Sequence, residues 1–437
     1  MNSQNNLGKI IIYSSICLLL TIPLVFSFFP ESKGSLLNNI PKIEFNLKKF
    51  TWPNFFSSKF QDNAEAYTKQ NIGFANNWVR LNNELNFRLF RYSGTKKLVL
   101  GKDDYFYEEI YITEYLGRNY IGDFFVEKKV KALKKLQILL KKEKGIDLIL
   151  VFEPGKAYFS PEQIPDRYHP EIKSTSNFDS FLYYCKKENV NFLDLNNYFK
   201  EYKKKTNHLL YSKYGVHWST YGMWQAAFQL VNIIERTSGF DLPEIIQISD
   251  STSTISKDLD FDMEPPMNLL KELPHEKMYF PVMQFRTDPS KELPRVLTIA
   301  DSYYWSIWNS PIKQHLFSQN DYWYYNKTIY PDIWDPAIYV VDSTRKQNIE
   351  SLDIILLMIT DANLYNFGWD FIEQTLAIFD SSYKEDIYLT CLNEIMNDYE
   401  QYSDIKNESI RKQIPFKDVL YKRVQGSVLK KMKEREK

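Results

Sequence analysis

The chain has 437 residues, enough to bury a large core and to hold more than one domain. Its 55 Lys and Arg balance 55 Asp and Glu, which excludes a bulk electrostatic attraction, so no nucleic-acid partner is expected. Its three cysteines, Cys17, Cys185 and Cys391, have no CxxC or Cys/His spacing, so neither a metal site nor a cofactor is expected; a Cys185–Cys391 disulfide stays open.

Ile10 to Phe29 carry no charge, and ~20 helical residues cross a hydrocarbon core. No small-residue cleavage site follows, since Phe26-Ser27-Phe28-Phe29-Pro30 is bulky, so residues 1–29 are expected to be a cytosolic tail and an uncleaved anchor. Lys9 precedes the apolar run, whereas Lys33, Lys42, Lys48 and Lys49 follow it, so the positive-inside rule does not favour an outside C-terminal domain. Residues 30–95 read as a tether and a helical lead-in. Phe74, Trp78, Leu81, Leu85 and Leu89 recur at spacings of three and four, predicting a helix within 61–92. Leu98-Val99-Leu100, Gly101 to Asp104 and Tyr105-Phe106-Tyr107 read as a hairpin.

Helices and strands then alternate. Val130, Leu133, Leu136 and Leu140 line one helix face, and Gly145 suits its C-terminal cap. Strands are predicted at 147–152, 190–195, up to Asp301, and at 353–359; helices at 181–187 and from a Ser219 or Thr220 cap to about Arg236. Residues 240–290 look like an insertion and 385–437 like a helical tail. This order implies an α/β fold with a mostly parallel sheet flanked by helices, with a main domain over 96–380 and a C-terminal tail over 381–437.

Arg295 to Ala300 is an apolar run that ends in Asp301-Ser302, where an open α/β sheet presents functional groups beyond its strands' carboxyl ends. His217, ahead of Trp218 and Ser219, is a candidate base for such a serine. Asp-Ser also stands at Asp179, Asp250, Asp342 and Asp380, and the last two follow the apolar runs 337–341 and 375–379. The dipeptide alone does not choose among them.

The ordered set of motifs does. Trp78-Val79-Arg80-Leu81-Asn82, Val99-Leu100-Gly101-Lys102-Asp103-Asp104-Tyr105, Tyr111-Ile112 and Tyr115-Leu116-Gly117 come first. Pro154-Gly155-Lys156-Ala157, Pro161-Glu162, Gly215-Val216-His217-Trp218-Ser219 and Ala300-Asp301-Ser302-Tyr303-Tyr304-Trp305-Ser306 follow. Over about residues 60–375 this order resembles the alginate O-acetyltransferase family of SGNH-hydrolase-like proteins, in its Bacteroidetes-type form. The histidine precedes the serine, a circularly permuted order relative to ordinary SGNH hydrolases. The resemblance implies an SGNH-hydrolase-like fold, Ser302 as nucleophile and His217 as base. It also implies acetyl transfer through a seryl intermediate to a polysaccharide acceptor, with a membrane-bound O-acyltransferase as supplier. The domain would then lie in the periplasm, anchored to the inner membrane.

Two positions depart from the family: Gly215 stands where an orienting Asp is usual, and Ala300 where Gly usually precedes Asp-Ser. Asp194 and Asp361, near predicted strand ends, are candidate replacements for the orienting acid; a Ser–His dyad is the working expectation. Asp301 is expected to support its loop. Lys156 could balance acidic sugar or an oxyanion, or cap its loop. Tyr303 and Trp305, among a group with Tyr304, Trp308, Trp323, Tyr324 and Tyr325, could touch sugar, although most of the group is expected in the core. The backbone of Ser302 and the side chain of Asn363 are oxyanion candidates. A catalytically impaired glycan-binding subunit and a tethered carbohydrate esterase are the alternatives.

Overall fold

The computed structural model describes residues 2–257, 259–286, 288–330 and 337–435. It divides into two units, Met1–Leu100 with Asp262–Pro274, and Gly101–Phe261 with His275–Lys437.

The larger unit is built on a six-stranded sheet. Its strands are β1 (Asp147–Glu153), β2 (Phe192–Asp194), β3 (Arg295–Ala300), β4 (Gln319–Tyr324), β5 (Thr328–Tyr330) and β6 (Ile354–Thr360), in the order β2-β1-β6-β3-β4-β5. All neighbours pair in parallel except β5, which runs antiparallel to β4. Ile354 of β6 registers with Asp147 of β1 and Val296 of β3, which brings the carboxyl ends of these three strands side by side. β1 and β6 are buried along their whole length, as continuous apolar runs covered on both faces should be. Ile355, Leu357 and Ile359 point into the main core, whereas Leu356 lies with Ala227 and Leu230 of the helix Thr220–Ser238 on the other face. On the main-core face sits the helix Asp123–Lys144, with Val130, Leu133, Leu136 and Leu140 buried and Gly145 in the left-handed region (φ 74°) as its cap. The helices Ile387–Asn397, Tyr399–Lys412 and Phe416–Arg435 add Leu392, Ile405 and Leu420 to that core; Glu436 and Lys437, the end of the expected tail, lie outside the described residues.

Three sequence expectations are refined. The strand read at 190–195 is only Phe192–Asp194, because Asp194 accepts from Asn197 N (3.0 Å) and caps the helix Leu195–Tyr202. The insertion carries an antiparallel ribbon, Glu244–Ser253 with Met278–Arg286. The rival Asp-Ser runs are not strands of the sheet. Residues 375–379 belong to the helix Phe371–Phe379, with Ile372, Thr375 and Leu376 buried at helical spacing, and 337–341 make only an isolated bridge at Tyr339.

In the smaller unit the helix Asn2–Phe26 contains Leu7–Phe26, long and apolar enough to cross a membrane at a mean hydropathy of 2.1. The single helix expected over 61–92 is two, Lys59–Asn71 and Ala75–Phe90, broken at Gly73-Phe74. Gly73 donates its N–H to Pro23 O (3.0 Å), and a Cβ there would lie 2.6 Å from that oxygen; Phe74 then takes φ 60°. The stretch read as a tether holds the short helices Pro30–Lys33, Leu47–Lys49 and Trp52–Phe56. Strands Leu98–Leu100 and Phe106–Glu108 occur where the hairpin was expected.

Candidate active site

Three strand ends supply the frame. β3 runs into Asp301-Ser302, β6 into Asp361, and β1 into Pro154-Gly155-Lys156. This is the edge of an open parallel sheet where ligands are held.

Asp301 fixes the serine's turn. It is fully buried, and its Oδ2 accepts from Thr360 N (3.0 Å), Thr360 Oγ1 (2.6 Å) and Asn363 Nδ2 (2.8 Å), while Oδ1 accepts from Tyr303 N (3.1 Å). Such a carboxylate welds the end of β3 to the end of β6. Tyr304 then opens the short helix Tyr304–Asn309, leaving Ser302 half-buried at the turn.

His217 reaches Ser302 from a separate loop, with Nε2 2.8 Å from Ser302 Oγ. Ser219 ends that loop by capping the helix Thr220–Ser238, accepting from Gly222 N (3.0 Å). Two further bonds flank the histidine–serine contact. Tyr303 donates from its hydroxyl to Val216 O (2.7 Å), and Trp218 Nε1 donates to Ser306 Oγ (2.7 Å). The residues on either side of His217 are thus bonded to residues one and four positions beyond Ser302.

Lys156 holds the same loop from β1. Its side chain is wholly buried, and Nζ donates to Lys213 O (2.7 Å) and Gly215 O (2.6 Å) beside the Tyr105 ring (5.2 Å). These hydrogen bonds aim the ammonium at the loop's backbone. On the loop's other side Ser212 Oγ donates to Asp260 O and accepts from Gly215 N (2.9 Å), and Asp260 Oδ1 accepts from Thr220 N (3.1 Å).

The two candidate orienting acids have other partners. Asp194, on edge strand β2, lies three strand spacings (~14 Å) from β3. Asp361 is buried beside Gly155 and accepts from its N–H (3.0 Å); a Cβ on Gly155 would fall 1.9 Å from Asp361 Oδ1, so any side chain there would displace the carboxyl. Burial raises the Asp361 carboxyl well above the usual carboxylate range, with the Glu114 charge adding to it. Asn363 directs its amide hydrogens to Asp301 and to Thr360 Oγ1 (3.0 Å).

The aromatic group divides by burial. Tyr303, Tyr304, Trp308 and Trp323 are buried, and Tyr303 packs against the His217 ring (4.9 Å between centroids). Trp305, Tyr324 and Tyr325 are half-buried, with Trp305 6.2 Å from the His217 ring and 5.3 Å from Tyr324. Cys185 and Cys391 are both free thiols, so no disulfide joins them.

Sequence reasoning missed several contributors. Ser306 could have been found as the residue one helical turn after Ser302. Asp260, in a stretch that reads only as an acidic insertion, gave no signal. Glu153 ends β1 fully buried, and its carboxyl is pushed well above the usual range by burial and then by the Asp301 charge.

Residues 98–255 match the family model described as the SGNH hydrolase-like domain of acetyltransferase AlgX. This segment includes Lys156 and His217 and stops before Ser302. Among curated proteins none matches the chain. Solved structures that resemble it include the O-acetyltransferase domain of Pseudomonas putida AlgJ, at 16% identity and a TM-score of 0.42, covering 68% of this chain and 98% of that one. Pseudomonas aeruginosa AlgX aligns at 14% identity and a TM-score of 0.41, over 64% of this chain and 66% of its own. Bacillus cereus PatB1 with a sulfonyl adduct aligns at 14% and 0.41, over 61% and 97%.

Proposed function

We propose, from the match of residues 98–255 to the SGNH hydrolase-like acetyltransferase model, that the chain transfers acetyl groups to hydroxyls of an exported polysaccharide. The observation that carries this reading is the 2.8 Å contact between His217 Nε2 and Ser302 Oγ at the carboxyl ends of β3 and β6. Ser302 Oγ attacks the carbonyl of an acyl donor while His217 takes its proton; the same proton passes to the departing donor oxygen, leaving an acyl-serine. A sugar hydroxyl then enters, gives its proton to His217 and attacks the acyl-serine. Its new ester leaves as Ser302 recovers the proton. The backbone N–H of Ser302 is the proposed oxyanion donor.

Half-buried Trp305, beside the His217 ring, and Tyr324, which packs on Trp305, are the proposed sugar contacts. The acyl supplier is proposed to be a membrane-bound O-acyltransferase. The helix Leu7–Phe26 is proposed as a single-pass inner-membrane anchor with the catalytic unit in the periplasm. An assembled Ser–His pair favours this reading over an impaired glycan-binding subunit. An esterase would use the same pair with water as acceptor.

The test uses the full chain in detergent with a chromogenic acetyl ester, comparing wild type, Ser302→Ala and His217→Ala by mass spectrometry. An acetyl adduct on Ser302 in the wild type, absent from both variants, is expected. Supplying oligosaccharide should move that acetyl to sugar. Release as acetate alone would make the chain an esterase, and no adduct in any protein would sink the catalytic reading.

A further inference from the structure

The stretch between the apolar helix and the helix Lys59–Asn71 belongs to the smaller unit, and its surface is unusual. Leu47, Trp52 and Phe56 are 72%, 64% and 79% exposed. Thr51 caps the short helix Trp52–Phe56 by accepting from Asn54 N (3.2 Å), and this turn gathers the rings. Trp52 stacks on Phe56 (5.9 Å) and meets Phe55 edge-on (6.1 Å). Water-facing proteins rarely leave such a contiguous apolar patch uncovered. Lys49 and Lys59 are exposed at its two ends, and no acidic residue occurs between Glu44 and Asp62.

Its place in the chain identifies the occupant. The apolar helix Leu7–Phe26 ends a short distance before it in sequence. Within the same unit Gly73 N–H binds Pro23 O (3.0 Å) and Phe26 packs on Phe74 (4.8 Å). Clustered Trp and Phe with flanking Lys is the composition of an element lying in the headgroup layer, and anionic lipid attracts such lysines.

We propose that residues 45–60 lie in the interface of an anionic bilayer as a second, horizontal anchor beside the spanning helix. The inference rests on the membrane-anchor reading. It also gives the lysines after the apolar run a role at the headgroups, whichever side of the membrane they occupy.

The full chain carrying Cys17→Ser and Phe56→Cys, with Cys185 and Cys391 buried, can be labelled at position 56 with an environment-sensitive fluorophore. It is then reconstituted in phosphatidylglycerol–phosphatidylcholine vesicles whose lipids carry a nitroxide at a shallow or a deep position. Blue-shifted emission quenched more by the shallow nitroxide is expected, both at position 56 and in a Leu47→Cys version. Lys49→Glu with Lys59→Glu should weaken that quenching. Water-like, unquenched emission, or emission blue-shifted by a protein neighbour yet untouched by either nitroxide, would overturn the proposal. So would stronger quenching by the deep one. The same label on native Cys17 reports the spanning helix separately: deep quenching there without shallow quenching at 56 leaves the anchor standing while the interfacial element falls.

Discussion

Gly215 stands two residues before His217, where the resembled family carries an orienting aspartate. A Cβ built on it would lie 2.5 Å from Asp260 O and 2.9 Å from Ser212 Oγ, closer than side-chain carbons approach. The loop has closed over the space an aspartate would need. Gly215→Asp is therefore expected to lower activity on an acetyl ester rather than restore a triad. It should also cost ~1–3 kcal/mol of stability through overpacking. Thermal denaturation and initial rates of the variant check both; a faster enzyme of unchanged stability would show that the loop yields easily. The sequence singled out Ser302 and His217 as candidates only through the order of its motifs, since Asp-Ser occurs five times and two of the rivals also follow apolar runs. The directions of Lys156 and Asp361 were not legible, since both depend on which backbone lies opposite.

At the scale of elements, the histidine loop is held to the sheet from two sides. Lys156 binds the carbonyls of residues 213 and 215, Tyr303 binds that of 216, and Trp218 reaches Ser306. A clamp on the backbone sets where His217 stands without any acid at position 215. Lys156→Met keeps the length of the buried stem and removes the donors, leaving two carbonyls unmatched at ~1–3 kcal/mol. It is expected to lower kcat by ~10–100-fold through misplacement of His217, with KM changed little. Steady-state kinetics with circular dichroism of the folded variant checks this; a rise in KM at unchanged kcat would instead place Lys156 on the substrate. The clamp was invisible in sequence because its acceptors are main-chain oxygens, which any residue supplies.

Across the whole molecule, the sheet's carboxyl edge concentrates buried acid. Burial pushes Glu114 up to about 7 although Asn177 Nδ2 and Phe178 N donate to it, and burial also raises Glu153 and Asp361 well above the usual carboxylate range. These groups stay protonated in the folded chain at pH values where the unfolded chain has released its protons, so stability falls as pH rises through that window. Glu114 alone accounts for roughly 3 kcal/mol between its unfolded value and neutrality. At the opposite end, Asp380 and Glu408 are lowered to about 2 by bonds to Lys135 and Lys412, and their contribution is lost in acid. Urea midpoints measured in detergent are expected to peak at mildly acidic pH and to decline toward pH ~8. A profile that rises steadily to neutrality would show these carboxyls to be ionised and solvated.

The alternation of strand and helix, the long apolar helix, the cap at 145 and the choice of Ser302 and His217 as the candidate pair came from the sequence, which left the second cap open between Ser219 and Thr220. Each rests on a local period or on motif order, which the chain carries in itself. Tertiary structure alone showed that the two rival Asp-Ser runs, 337–341 and 375–379, are not strands of the sheet. It placed residues 375–379 on a helix and packed Asp260 O and Ser212 Oγ where a side chain at 215 would stand. It also turned the Lys156 ammonium toward the histidine loop. These outcomes depend on residues distant in sequence meeting at one sheet edge, where burial and hydrogen-bond geometry fix a side chain's partner and its charge.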